Sequence, residues 1–225
     1  MAKEQKDQLS QKLRKWLEEI GDELGDLLSG RVIFRRLKEI VKSNENIQSP
    51  AILHNWIADN YVAKMCTGIR KIVDKKESVS LYRLILQIKK NPDVITRDYF
   101  ISQSKDEFGK KMGTAGKGFD KFAKPHEQRV DSERLNNDLQ KLKEGTRLIK
   151  DFTDQWIAHW DENRDNVQMP TFVDLDKALD VIDKVWCDYS LLLKCHAPIS
   201  GTCKPTIGDD WEAPLRHPWI KSPEQ

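Results

Sequence analysis

The stretch PTFVDLDKALDVIDKVWCDYSLLL, Pro170 to Leu193, decides the fold. Phe172, Leu175, Leu179, Ile182, Trp186, Tyr189 and Leu193 recur at alternating spacings of three and four residues. That alternation keeps one side chain per turn on a single seam, the pattern of helices packed antiparallel in a bundle. The interleaved acids solvate the outer face of the same helix.

Working outward, DENRDNVQMP separates this helix from a long one expected over Asp131–Trp160, whose stripe is Leu135, Leu139, Leu142, Ile149, Trp156 and Trp160. Further upstream, Ser80 is placed to cap LYRLILQIKKN, which Pro92 ends. SPAILHNWIADNYVAKMCTGIRKIVDK begins with Ser49 as the expected N-cap and Pro50 in the first turn. Ile57, Tyr61, Met65 and Ile72 share a face that Ala58, Val62, Cys66, Ile69 and Val73 widen. So broad an apolar face predicts a helix buried inside the bundle. Gln8–Leu28 reads as an amphipathic helix, Ser29-Gly30 as its end, and RVIFRRLKEIVK as a shorter basic helix. From Thr96 to about Pro125 the helical pattern weakens, and GKKMGTAGKGFDKFAKP, rich in Gly and Lys, reads as a long loop of a kind that is often functional. The expected architecture is all-α. An N-terminal helical hairpin (1–48) is added to an up-down four-helix bundle (49–197), and an irregular tail (198–225), carrying Trp211 and Trp219, packs back onto it.

Composition narrows the function classes. The 225 residues are 33% charged and 38% hydrophobic with a net charge of +2, which suits a helix-rich globular chain. The chain as a whole has no strong nucleic-acid footprint. Local basic groups remain as candidate RNA or partner contacts: Arg31, Arg35 and Arg36 on one expected helix, and Lys110, Lys111 and Lys117 in the long loop. From Lys105 to Lys124 six lysines face three acids, a net of +3. That is enough for weak phosphate attraction without specificity. The opening MAKEQKDQLSQKLRKW lacks the apolar segment of a secretory signal, and no run is long enough to cross a bilayer. The four cysteines have no disulfide-framework density. A cytoplasmic protein without a membrane span is expected.

Three motifs invite chemistry. Gly113–Gly118 fails as a phosphate loop, because Lys111 stands where the first glycine belongs and Gly118 follows Lys117. Cys187, Cys195, His196 and Cys203 lack the close cysteine pair of a structural zinc site, so neither a metal nor another cofactor is expected. His159, in FTDQWIAHWDENR, stands on the flank of an apolar face with Gln155, Glu162 and Asn163 as its polar helical neighbours. An imidazole at a core boundary is commonly a satisfied neighbour of that core; it is also the side chain best suited to proton transfer near neutrality.

The helix ending GIRKIVDK followed by ESVSLYRLILQI, the long helix ending TDQWIAHWD, and the closing helix opened by PTFVDLDKALDVI together resemble the HEPN helical domains. The likeness is to their AbiU-like, abortive-infection branch, and it covers about two-thirds of the chain. The resemblance implies a homodimer that brings two motifs together and a metal-independent ribonuclease reaction, in which the RNA 2′-hydroxyl attacks the adjacent phosphorus. A histidine moves protons there, and an arginine separated from it by four to six intervening residues holds the phosphorane charge. His159 matches the family histidine. The arginine has no match, because Phe152, Thr153 and Asp154 occupy the positions at that spacing. Arg70, near Asp74 on the preceding core helix, is the candidate substitute. From Trp160 to Asp188 eight acids face three bases, a balance of −5 that disfavours a polyanion unless the basic helix at Arg31–Lys38 or the lysine loop covers it. Two functions are therefore carried forward. One is a HEPN-type module of a defence or toxin–antitoxin system with a degenerate motif, binding a partner such as an antitoxin, a defence protein or RNA. The other is a divergent endoribonuclease that uses His159.

Overall fold

The computed structural model describes residues 3–76, 79–104, 115–157, 168–195, 202–205, 207, 208 and 210–217, and every regular element among them is helical. The α-helices are α1 (Lys3–Ser43), α2 (Ile52–Ile72), α3 (Leu81–Lys90), α4 (Arg97–Gln103), α5 (Ala115–Phe119), α6 (Ser132–Gly145), α7 (Arg147–Phe152) and α8 (Phe172–Lys194). Short 3-10 turns occupy Glu45–Ile47 and Ala213–Arg216, and a π-helical turn, Thr153–Ile157, continues α7.

The chain builds four columns. It runs down α1, up α2 and α3 placed end to end, down α6 and α7, and up α8. Side-chain pairs fix these directions. Lys71 reaches Glu23, Gly68 meets Leu27 and Gly30 meets Met65, so α2 rises as α1 falls. Arg83 lies over Trp16, which carries α3 onward along the same helix. Arg31–Asp180 and Arg35–Asp176 set α8 against α1, and Tyr189–Asp138 sets it against α6. The elements α4 and α5 close the top through Phe100 and Phe119, whose ring centroids are 5.6 Å apart.

The expectation of an all-α bundle holds, while its composition differs from the one expected. Residues Lys3–Ser43 form a single helix of 41 residues, with no hairpin at Ser29-Gly30. The Ser29 hydroxyl donates back to the Gly25 carbonyl at 2.7 Å, a contact compatible with continued helix. Leu13, Leu17, Ile20, Leu24, Leu27 and Leu28 are all buried in the common core. Each fully buried aliphatic contributes roughly 1.5–3 kcal/mol, which outweighs the ~1 kcal/mol helix penalty of Gly30. This helix is thus one of the four columns, and α2 and α3 share another.

Other boundaries shift for local reasons. Ser49 does not cap α2: Ala51 precedes the helix without a side-chain cap, after a cis Ser49–Pro50 peptide bond. Ser80 does cap α3, accepting from the Arg83 N–H at 3.2 Å. The region of weak pattern begins with α4, capped by Thr96, and the stretch read as loop contains α5. The long helix expected from Asp131 is interrupted at Thr146, whose hydroxyl donates to the Leu142 carbonyl at 2.6 Å. On α8, Leu175, Leu179, Ile182, Tyr189 and Leu193 are buried as the spacing predicts, and Thr171 with Asp174 forms a capping box. The described part of the tail packs back. Cys203 is buried, its N–H donates to Asp183 Oδ1 at 2.8 Å, and Glu212 accepts from Arg36.

Candidate functional site

The motif helix enters the site through α7. Ile149 and Phe152 anchor it on the core, and the turn then widens to the π form over Thr153–Ile157. The Thr153 hydroxyl donates to the Ile149 carbonyl at 2.6 Å and is hydrogen-bonded to Cys66 of α2. A π turn adds a residue to the helical circuit and re-aims the side chains that follow; such turns are frequent at functional sites. Here it carries Asp154 to α2. The Arg70 guanidinium donates through Nε to Asp154 Oδ1, and Lys150 Nζ sits 2.5 Å from Oδ2. Burial alone would raise the Asp154 pKa, yet the hydrogen bonds from Lys150 and Arg70 prevail and hold it below the usual carboxylate range.

The ion-pair partner of Asp154 is therefore Arg70, the candidate substitute for the arginine that the resemblance implies. Asp74, its sequence neighbour, lies beyond the end of α2, where its carboxylate accepts from the Lys76 N–H at 3.2 Å and its carbonyl from the Ser80 hydroxyl. His159, Lys110 and Lys111 lie outside the described residues, as does His196. Lys117 is exposed on α5, at the top of the bundle. Among the described residues, no group of His, Cys, Asp and Glu is arranged to hold a metal ion.

The basic helix does cover the acidic one. Arg31 pairs with Asp180 and Arg35 with Asp176, each at 2.6 Å, while Arg36 holds Glu212 at 2.9 Å. The three arginines read as RNA or partner contacts are thus engaged with carboxylates of the same chain. That arrangement relieves the acidic excess of α8.

A second feature had no signal in the spacing. The first half of α2, from Ile52 to Lys64, contains no buried residue, although it was expected inside the bundle. Ile52 is 76% exposed, Leu53 52% and Trp56 63%. Tyr61 stacks on Phe34 at 4.0 Å and lies 6.0 Å from Phe172, so the start of α8 is at the same end. Met169 and Val173 are exposed there too. An apolar helix face read from sequence cannot say whether its cover comes from the same chain or another. Compared with known proteins, the chain matches no family model, no curated protein and no solved structure.

Proposed function

We propose that the chain is a HEPN-type, AbiU-like helical module of a defence or toxin–antitoxin system, acting by binding. Its first partner is a second copy of itself, and the pair then engages a partner protein or RNA. The observation that carries this reading is the bare apolar first half of α2. On this half Asn60 turns its amide back to donate to the Trp56 carbonyl at 2.7 Å. The side chains of Ile52, Trp56 and Ala63 then present a mainly apolar stripe. Asp59 and Lys64 are exposed on this helix and pair with none of the described residues. An apolar face of this kind, repeated by a twofold axis, would cover itself in an isologous pair. The test is RNA integrity. Purified protein is expected to leave single-stranded and structured RNA intact.

The second reading, a metal-independent endoribonuclease using His159, is favoured by one specific observation: Arg70 reaches the motif helix from α2. Fragments ending in 2′,3′-cyclic phosphate, absent with His159→Ala, establish that reading and overturn the binding-only one. The missing arginine at the usual spacing argues for the first, since losing a charge-stabilising donor costs about a hundredfold in rate or more.

A further inference from the structure

Two donors on α1 are buried without an acceptor at the top of the bundle. Ser10 is 6% exposed, and its hydroxyl has no hydrogen-bond partner. One turn on, Arg14 is partly buried, and its Nε–H is enclosed and equally unmet. Residues four apart stand on one face of a helix, so both donors point to the same side. Arg14 Nη2 donates to the Tyr99 hydroxyl of α4 at 2.8 Å, and the phenol ring lies 5.9 Å from the guanidinium. Cys195, buried at the end of α8, closes a further side. Burial pushes its thiol up, to about 11, and the nearby Arg14 charge opposes that rise. The groups around Arg14 are thus neutral. Glu18, the carboxylate one turn further along α1, is drawn off by Lys194 at 3.4 Å. Among the described residues, no carboxylate pairs with Arg14. By contrast, Arg97 and Arg134, also enclosed by the fold, each meet an aspartate at 2.7 Å.

We infer that Ser10 and Arg14, beside Tyr99 and Cys195, form a binding site for a small singly charged anion, a halide or the head of a carboxylate. A buried donor without an acceptor is costly, and folded proteins meet it with a protein group, a water or an ion. Water would accept from the N–H and the O–H and leave the guanidinium charge uncompensated; an anion answers both needs. One cation among neutral groups matches one negative charge. Enclosure of both donor atoms limits the ligand to a few atoms. The bound anion joins α1 to α4 and to the end of α8, away from the exposed half of α2 on which the proposed function rests.

The test is the thermal midpoint of the full chain, followed by tryptophan fluorescence, in sodium gluconate, chloride and formate at one ionic strength. Gluconate is too large for a site whose donor atoms are enclosed. As chloride or formate replaces it, the wild-type midpoint is expected to rise by about 3–6 °C once the anion exceeds its dissociation constant tenfold. Either rise supports the site, and the larger one names the ligand as halide or carboxylate. Arg14→Gln is expected to abolish the rise. Lys42→Gln removes an exposed cation in the last turn of α1, about 40 Å further along the helix, and is expected to keep it. Ser10→Ala carries the test if Arg14→Gln fails to fold. It is expected to match or exceed wild type in gluconate and to fall below it in chloride or formate. A wild-type midpoint that is the same in all three salts overturns the site, as does a rise that survives Arg14→Gln. Ser10→Ala lowering the midpoint equally in every salt assigns the place to a bound water and overturns it as well.

Discussion

Arg97 holds together the part of the chain that sequence read as loop. It is 9% exposed and donates to the carbonyls of Glu127, Gly116 and Lys124 at 2.8, 3.2 and 3.0 Å, while pairing with Asp120 at 2.7 Å. An apolar replacement strands those carbonyls, so Arg97→Met is expected to lose about 2–4 kcal/mol of stability in urea unfolding. Asp183 is the reverse case, a buried carboxyl whose pKa burial raises, although the Cys203 N–H and Cys187 thiol bonds partly oppose the rise. A raised carboxyl favours the protonated native state, so its stabilising contribution is present at low pH and lost as pH rises through the folded value. Asp183→Asn keeps an acceptor for Cys203 without a charge to bury and is expected to match or exceed wild-type stability at pH 7. Asp183→Ala removes the acceptor and costs about 1–3 kcal/mol. Burial likewise pushes the thiols up, to about 12 at Cys66 and Cys187 and about 11 at Cys195 and Cys203. Little thiolate then exists near neutral pH, and a colorimetric disulfide reagent is expected to label the native chain far more slowly than the urea-unfolded one.

At the scale of elements, two glycines of α1 separate what the chain needs from what it tolerates. A methyl group on Gly21 would lie 2.7 Å from the Trp186 ring, whose Nε1 donates to the Leu17 carbonyl at 3.0 Å. A methyl group on Gly30 meets nothing closer than Met65 Sδ at 3.8 Å. Gly30→Ala is therefore expected to raise stability by about 1 kcal/mol through helix propensity, and Gly21→Ala to lower it, read as opposite shifts in thermal midpoint. The same contrast explains what was legible. The seam of α8 was readable because a run of regularly spaced apolar residues needs no partner to identify it. Ser29-Gly30 misled because it is a local breaker signal, while continuity of α1 is decided by burial on both sides of it. Arg70 and Asp154 stand 84 residues apart, and helical spacing carries no information about which turns of two different helices will meet.

For the whole molecule, the first half of α2 and the start of α8 share one end, where Tyr61 lies 6.0 Å from Phe172. The breadth of the apolar face on α2 was visible in sequence; only the fold reveals that its upper half is core and its lower half surface. Among the described residues, no helix is long and apolar enough to cross a membrane. The exposed lower half of α2 is proposed as the contact between two copies of the chain. Light scattering at micromolar concentration tests this most directly, with wild type beside Trp56→Glu, a change at a side chain 63% exposed and outside the core. The expected result is twice the chain mass for wild type and a folded monomer for the variant. A wild-type monomer, or a dimer that the glutamate leaves intact, contradicts it.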